Sequence, residues 1–160
     1  MACGVGPAKS ASLVAALEIG RLISTRVLAP GHAFAGPADV FHAYHARLRD
    51  LRHERFLAVL LDGRHRVMRD VLISQGPLSA SLVPPREVFR PALREAAAAI
   101  VLVHNHPSGD PTPSEEDREI TRRLVAAGEL LGVRVLDHVV VAEQGYRSLA
   151  VAGVVPTLAR

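Results

Sequence analysis

The strongest constraint on this chain lies where an apolar run, Ala96 to Val103, gives way to His104-Asn105-His106 and a loop rich in Pro and Gly. An unbroken apolar run of this length, bounded by charge and turn residues, reads as a strand buried on both faces. Side chains alternate along an extended segment, so His104 and His106 point to the same side. Asp117 follows eleven residues after His106, in the first turn of a charged, amphipathic helical pattern that opens at Ser114. Two imidazoles from a strand end and one carboxylate from a helix start can occupy three corners of a tetrahedron. The corner left for water is what separates a catalytic zinc site from a closed structural one.

The same residues admit a local reading without metal. Ser114-x-x-Asp117 is a capping-box variant, and acidic residues in a first helical turn complement the helix dipole. That reading explains Ser114, Glu115, Glu116 and Asp117 but not two histidines on one side of the preceding strand end. Asp110, four residues past His106, competes with Asp117 for the third ligand position. Asn105 points away from its neighbours and reads as structural.

His-x-His, seven residues, Ser, two residues and Asp is similar to the signature of the JAMM (MPN-type) zinc metalloproteases. The wording around it, His104-Asn105-His106-Pro107-Ser108-Gly109-Asp110 with Pro84-Pro85-Arg86-Glu87 upstream and Leu136-Asp137-His138 downstream, resembles the bacterial RadC proteins. The resemblance runs from about Ser10 to Val155. It implies an α/β fold, a mixed β-sheet flanked by helices in the cytidine deaminase-like, JAMM (MPN) architecture. It implies a Zn2+ ion held by His104, His106 and Asp117, with Glu54 as general acid/base and Ser114 as the donor to an oxyanion. The implied reaction is hydrolysis of a peptide or isopeptide bond in a protein or peptide substrate. For Asp137 and His138, a hydrogen bond behind the site and simple packing both remain open. One departure from the family pattern is Pro77, where Gly-Thr is usual; it removes a backbone donor and fixes a dihedral in that loop.

Composition narrows the alternatives. The chain has 160 residues, enough for one domain with a buried core. No apolar run approaches the ~20 residues of a membrane span, and the N-terminus lacks the pattern of a signal peptide. The expectation is a cytoplasmic protein without membrane contact. Cys3 is the only cysteine, so a metal must be held by His and carboxylates. Imidazole ligands favour zinc over magnesium or calcium, which prefer oxygen.

The net charge is only +3, yet Arg47, Arg49, Arg52, Arg55, Arg64, Arg66 and Arg69 fall close together. They form either a basic surface for nucleic acid or an ordinary solvated face. Gly4-Val5-Gly6-Pro7-Ala8-Lys9 resembles the hairpin of a helix-hairpin-helix DNA-binding unit, whose backbone N–H groups meet phosphates. In RadC proteins such a unit precedes the catalytic domain, and only its second half is expected here. Residues 1–35 are therefore assigned to a remnant of that unit and a linker, and residues 36–160 to the catalytic domain. The alternative function is a DNA-associated accessory protein, in a repair or recombination context, with a structural or vestigial metal site. A metal-dependent nuclease fits less well, because this loop offers few carboxylates.

Taken in order, the pattern predicts a helix from Ser10 to Leu22 capped by Ser10, and a second from Pro37 to about Leu48 with Val40, Phe41, Tyr44 and Leu48 on one face. His42 and His45 lie on that helix without an acidic partner at matching spacing, and read as surface or core-edge residues. A hairpin follows, with Arg55 to Leu61 as a central strand and His65 to Ser74 as its partner. Leu78 to Val83 suits a short strand, and Pro84-Pro85-Arg86-Glu87 opens a helix through about Ala97, packed through Val88, Leu93, Ala96 and Ala97. After the strand Ala98 to Val103 comes a helix to Leu131, with Ile120, Leu124, Ala127, Leu130 and Leu131 on one stripe and Gly132 as its stop. Strands over Val133 to Val141 and Tyr146 to Val151 close the domain. The long apolar strands suit a homodimer joined by edges or helices as well as a buried sheet.

Overall fold

Strand β1, Arg55–Leu61, is apolar at six consecutive positions and buried at all of them, which places it inside a sheet rather than at an edge. The computed structural model describes residues 6–24, 30–76 and 83–156. The sheet has five strands in the order β2-β1-β3-β4-β5, where β2 is Val67–Gln75, β3 Ala99–Asn105, β4 Arg134–Ala142 and β5 Gly145–Ser148. β1 runs antiparallel to both β2 and β3, β4 is antiparallel to β5, and β3 is parallel to β4. The expected mixed sheet is therefore present, and β1, β3 and β4 are its interior strands.

Helices α1, Pro7–Ser24, α2, Pro37–Leu48, α3, Pro85–Arg94, and α4, Glu115–Leu131, complete the architecture. Period-two alternation along the interior strands builds two cores. Phe56, Ala58, Leu60, Ile100 and Leu102 face Val88, Phe89 and Ala92 of α3 and Ile120 and Leu124 of α4. Leu57, Val59, Leu61, Val101, Val103 and Val139 face Val40, Tyr44 and Leu48 of α2. Burying each such side chain contributes about 1.5–3 kcal/mol, so the two faces anchor β3 firmly in register. His104 continues the alternation of Ile100 and Leu102, and so emerges on the α4 side.

Several expected boundaries shift for physical reasons. α1 begins at Pro7, and Ser10 donates its backbone N–H to the Gly6 carbonyl, so Ser10 lies within the first turn and does not cap it. Pro is well suited to that first position because its missing N–H has no helical partner there. α3 stops at Arg94, three residues before the expected end: Ala96 adopts a left-handed φ of 53° and Ala97 bonds back to Ala92. Leu93 and Leu130, expected to pack inward, are 50% and 89% exposed. β5 ends at Ser148, short of Val151, whose segment turns instead. Of the strand expected over Leu78 to Val83 only Val83 is described, buried and outside any strand, and the Pro77 departure lies outside the described residues, as do Gly4 and Val5. No described helix is long and apolar enough to cross a membrane.

Candidate metal centre

The crossover β3–α4–β4 places the end of one parallel strand beside the start of its crossover helix, where ligands gather in α/β sheets. His104 lies on the last turn of the β3 ladder, opposite Val140 of β4. His106 is just past the strand and is held to β4 by its backbone N–H, which donates to the Val141 carbonyl at 3.0 Å. The loop then reverses at Gly109, whose φ of 86° favours glycine. This returns the Asp110 carbonyl to His106 Nδ1 at 2.9 Å. The Asp110 carboxylate turns outward, accepts the Thr112 N–H and is exposed, so the competing assignment of Asp110 as a ligand has no support in the geometry.

Asp117 enters from α4, where Ser114 is the N-cap. Ser114 Oγ accepts the Asp117 N–H at 3.1 Å, while Asp117 Oδ2 accepts the Ser114 N–H at 2.7 Å and the Ser114 hydroxyl at 2.6 Å. The capping box and the metal reading, posed as rivals by the sequence, coexist. The same carboxylate that closes the cap also faces His104 Nε2, 3.2 Å from Oδ1, and His106 Nε2, 3.4 Å from Oδ2. The two Nε2 atoms are 2.9 Å apart.

These separations fit a bound ion. Ligand atoms about 2.0–2.1 Å from a tetrahedral zinc lie roughly 3.3 Å from one another, close to the 2.9, 3.2 and 3.4 Å found here. Among the described residues, His104, His106 and Asp117 form a His/carboxylate group able to hold a metal. His104 is fully buried and Asp117 nearly so, whereas the His106 side chain retains 13% exposure, which marks the side open to solvent. Two imidazoles and one carboxylate are a donor set compatible with a metal ion.

The electrostatics agree. The facing Asp117 carboxylate lifts the His106 pKa above its ordinary value against the opposing effect of burial, and the Asp110 carbonyl and the charge of Glu54 add to the rise. Burial alone would raise the Asp117 carboxyl, but the imidazoles of His104 and His106 and the Ser114 hydroxyl hold it far below the usual carboxylate range. A carboxylate fixed as an anion beside two imidazoles is a cation-binding arrangement.

Glu54 precedes β1. Phe56 pairs with His104 across the β1/β3 ladder, so two residues earlier the chain reaches the level of His106. Asn105 fixes that approach. Its Oδ1 accepts the Arg55 N–H at 2.8 Å and its Nδ2 donates to the His53 carbonyl at 3.2 Å, gripping the chain on both sides of Glu54. Gly76 adds a backbone bond to the Glu54 carbonyl at 2.9 Å. Asn105 is thus structural, as its direction implied, but what it structures is the entry of Glu54.

A family model described as a RadC-like JAB domain matches residues 34–154. The chain belongs to this family. Among RadC-family relatives, the UPF0758 protein of Syntrophotalea carbinolica is 54% identical over 151 residues, covering 94% of this chain and 66% of that protein. The UPF0758 proteins of Geobacter sulfurreducens and Methanosarcina acetivorans are 51% and 42% identical, with 94% and 95% of this chain and 66% of each relative covered. The chain therefore spans about two-thirds of the length of the relatives it matches.

The sequence alone leaves the surroundings of His104 open. His138, fully buried on β4, brings Nε2 to 2.8 Å from His104 Nδ1, and its Nδ1 lies 2.6 Å from Thr121 Oγ1 of α4. Phe56 stacks on His104 and meets His138 edge-on, closing the apolar wall behind both rings. A lone histidine immediately before the run Val139-Val140-Val141 was the available signal. Asp137 points to the other side of β4, where it accepts from Ser148 Oγ and the N–H groups of His138 and Ala150. His42 and His45 of α2 pack beside Phe41 and take no part in the site.

Proposed function

We propose that this chain is a zinc-dependent hydrolase of JAMM type acting on peptide or isopeptide bonds. The observation that carries the reading is the convergence of His104 Nε2, His106 Nε2 and the Asp117 carboxylate within 2.9–3.4 Å of one another at the mouth of the parallel strands. Zinc held by His104, His106 and Asp117 would supply Lewis acidity toward a carbonyl and toward water, whose pKa it would lower to ~7. Glu54 takes the proton of the attacking water and delivers it to the leaving amine. Ser114 anchors Asp117, and it serves the developing oxyanion when its hydroxyl turns from Oδ2 toward the substrate.

The test has two arms. Purified protein should carry one zinc per chain by elemental analysis, and His106→Ala should carry none while keeping its circular dichroism spectrum. Glu54→Gln should keep the zinc and lose on the order of 100-fold or more of the hydrolysis of a pooled fluorogenic peptide library. A folded wild-type protein that takes up no zinc, or a Glu54→Gln variant with undiminished turnover, contradicts the proposal.

The alternative, a DNA-associated role with a vestigial metal site, draws on the arginine cluster. Pairing of Arg47 with Asp70 and of Arg69 with Glu95 weighs against a continuous basic surface. Duplex binding that weakens steeply with salt would restore it.

A further inference from the structure

Resting on the metal reading above, we propose that Thr121 and His138 are positioning residues that fix the tautomer of His104, so that its Nε2 faces the metal position with a free lone pair. The protons can be placed one by one along three contacts. Thr121 Oγ1 lies 2.6 Å from the Asp117 backbone carbonyl and 2.6 Å from His138 Nδ1. A carbonyl oxygen has no proton to give, so the single hydroxyl proton of Thr121 goes to Asp117. Oγ1 then accepts at the other contact, and His138 Nδ1 is the N–H donor. His138 is buried completely in an apolar wall and carries one ring proton, which leaves its Nε2 as an acceptor. At 2.8 Å from that acceptor, His104 Nδ1 must be the donor. His104 Nε2 is left unprotonated, 3.2 Å from Asp117 Oδ1 and 2.9 Å from His106 Nε2.

The reverse order fails at one place. With His104 protonated at Nε2, the contacts run back until Thr121 donates to His138, and two oxygen lone pairs then oppose each other at the 2.6 Å contact with Asp117. Of the two orders, only this one makes all three contacts from the Asp117 carbonyl to His104 Nδ1 hydrogen bonds, and it turns the His104 Nε2 lone pair toward Asp117 and His106, contacts that a cation would satisfy. α4 therefore supplies the third ligand through the Asp117 side chain and sets the first through the Asp117 carbonyl, by way of Thr121 and His138. His106 is set in a simpler way, by donating Nδ1–H to the Asp110 carbonyl. Partners of this kind behind a ligating imidazole are typically worth ~10–100-fold in metal affinity.

Two measurements decide the matter. Long-range 1H–15N correlation spectra of metal-free wild-type protein, assigned with single histidine variants, should show His104 and His138 protonated at Nδ1. A His104 protonated only at Nε2 overturns the proposal without need of any variant. In zinc competition titrations, Thr121→Val should bind one zinc ~10–100-fold more weakly, and Thr121→Ser should recover nearly all of that loss. Wild-type affinity in a folded Thr121→Val also overturns it. Failure of wild-type protein to bind zinc at all counts against the metal reading itself, whereas zinc binding indifferent to Thr121 counts against this inference alone.

Discussion

Asp117 meets two demands with one carboxylate: it closes the capping box of α4 and faces both imidazoles. Substitution separates them. Asp117→Asn keeps an acceptor for the Ser114 N–H, so the metal-free variant should unfold in denaturant within about 1 kcal/mol of wild type, the usual worth of a cap. Its zinc affinity should fall by more than the ~100-fold that loss of an outer partner costs. Asn105 is the opposite case, a residue that touches no candidate ligand position yet holds the chain around Glu54. Asn105→Ala leaves the His53 carbonyl and Arg55 N–H without that partner, at a cost of about 1–3 kcal/mol in denaturant unfolding. Zinc stoichiometry should remain unchanged. The ligands were legible in the sequence because strand alternation and a helix start present them within one short segment. The partners of Asn105, Thr121 and His138 were not, because those of Asn105 lie 50 and 52 residues away, His138 meets His104 across 34, and Thr121 meets His138 across 17 only once the strands are in register.

At the scale of elements, the interior strands and α2 were legible from periodicity, since unbroken apolar runs and an amphipathic face leave little choice. What failed to show were positions where the backbone geometry overrides pattern. Ala96 turns left-handed and ends α3 early, and Leu130 follows the apolar stripe of α4 but points outward as that helix ends at Gly132. Gly128 gives this scale its test. A helical Gly→Ala change ordinarily stabilises by about 1 kcal/mol. Here an added Cβ would lie 2.4 Å from the Val133 carbonyl and 3.2 Å from the Phe89 ring. Gly128→Ala should therefore destabilise, by about 1–3 kcal/mol for an overpacked contact, and thermal or denaturant unfolding reads the sign directly. The close approach it permits seats α4 on α3 and the start of β4, and so helps place Asp117.

For the whole molecule, the two cores on opposite faces of the sheet are complete without the metal, so removal of zinc by a chelator should leave the protein folded. Linkage still predicts a loss of stability. Zinc at 1,000 times its Kd contributes about 4.1 kcal/mol, and in a domain of this size chelation should lower Tm on the order of 10 °C. Calorimetry with and without chelator checks it; an unchanged Tm would mean that no ion is held by the native state. Family membership accounts for the architecture, within which His104, His106 and Asp117 come together. The most direct test of the account is a crystal structure grown with stoichiometric zinc and phased at the zinc edge. The account predicts one anomalous peak about 2.0–2.2 Å from His104 Nε2, His106 Nε2 and an Asp117 carboxylate oxygen, with the remaining position open toward solvent. A peak bound elsewhere, or none in crystals where those three side chains keep their places, would contradict it.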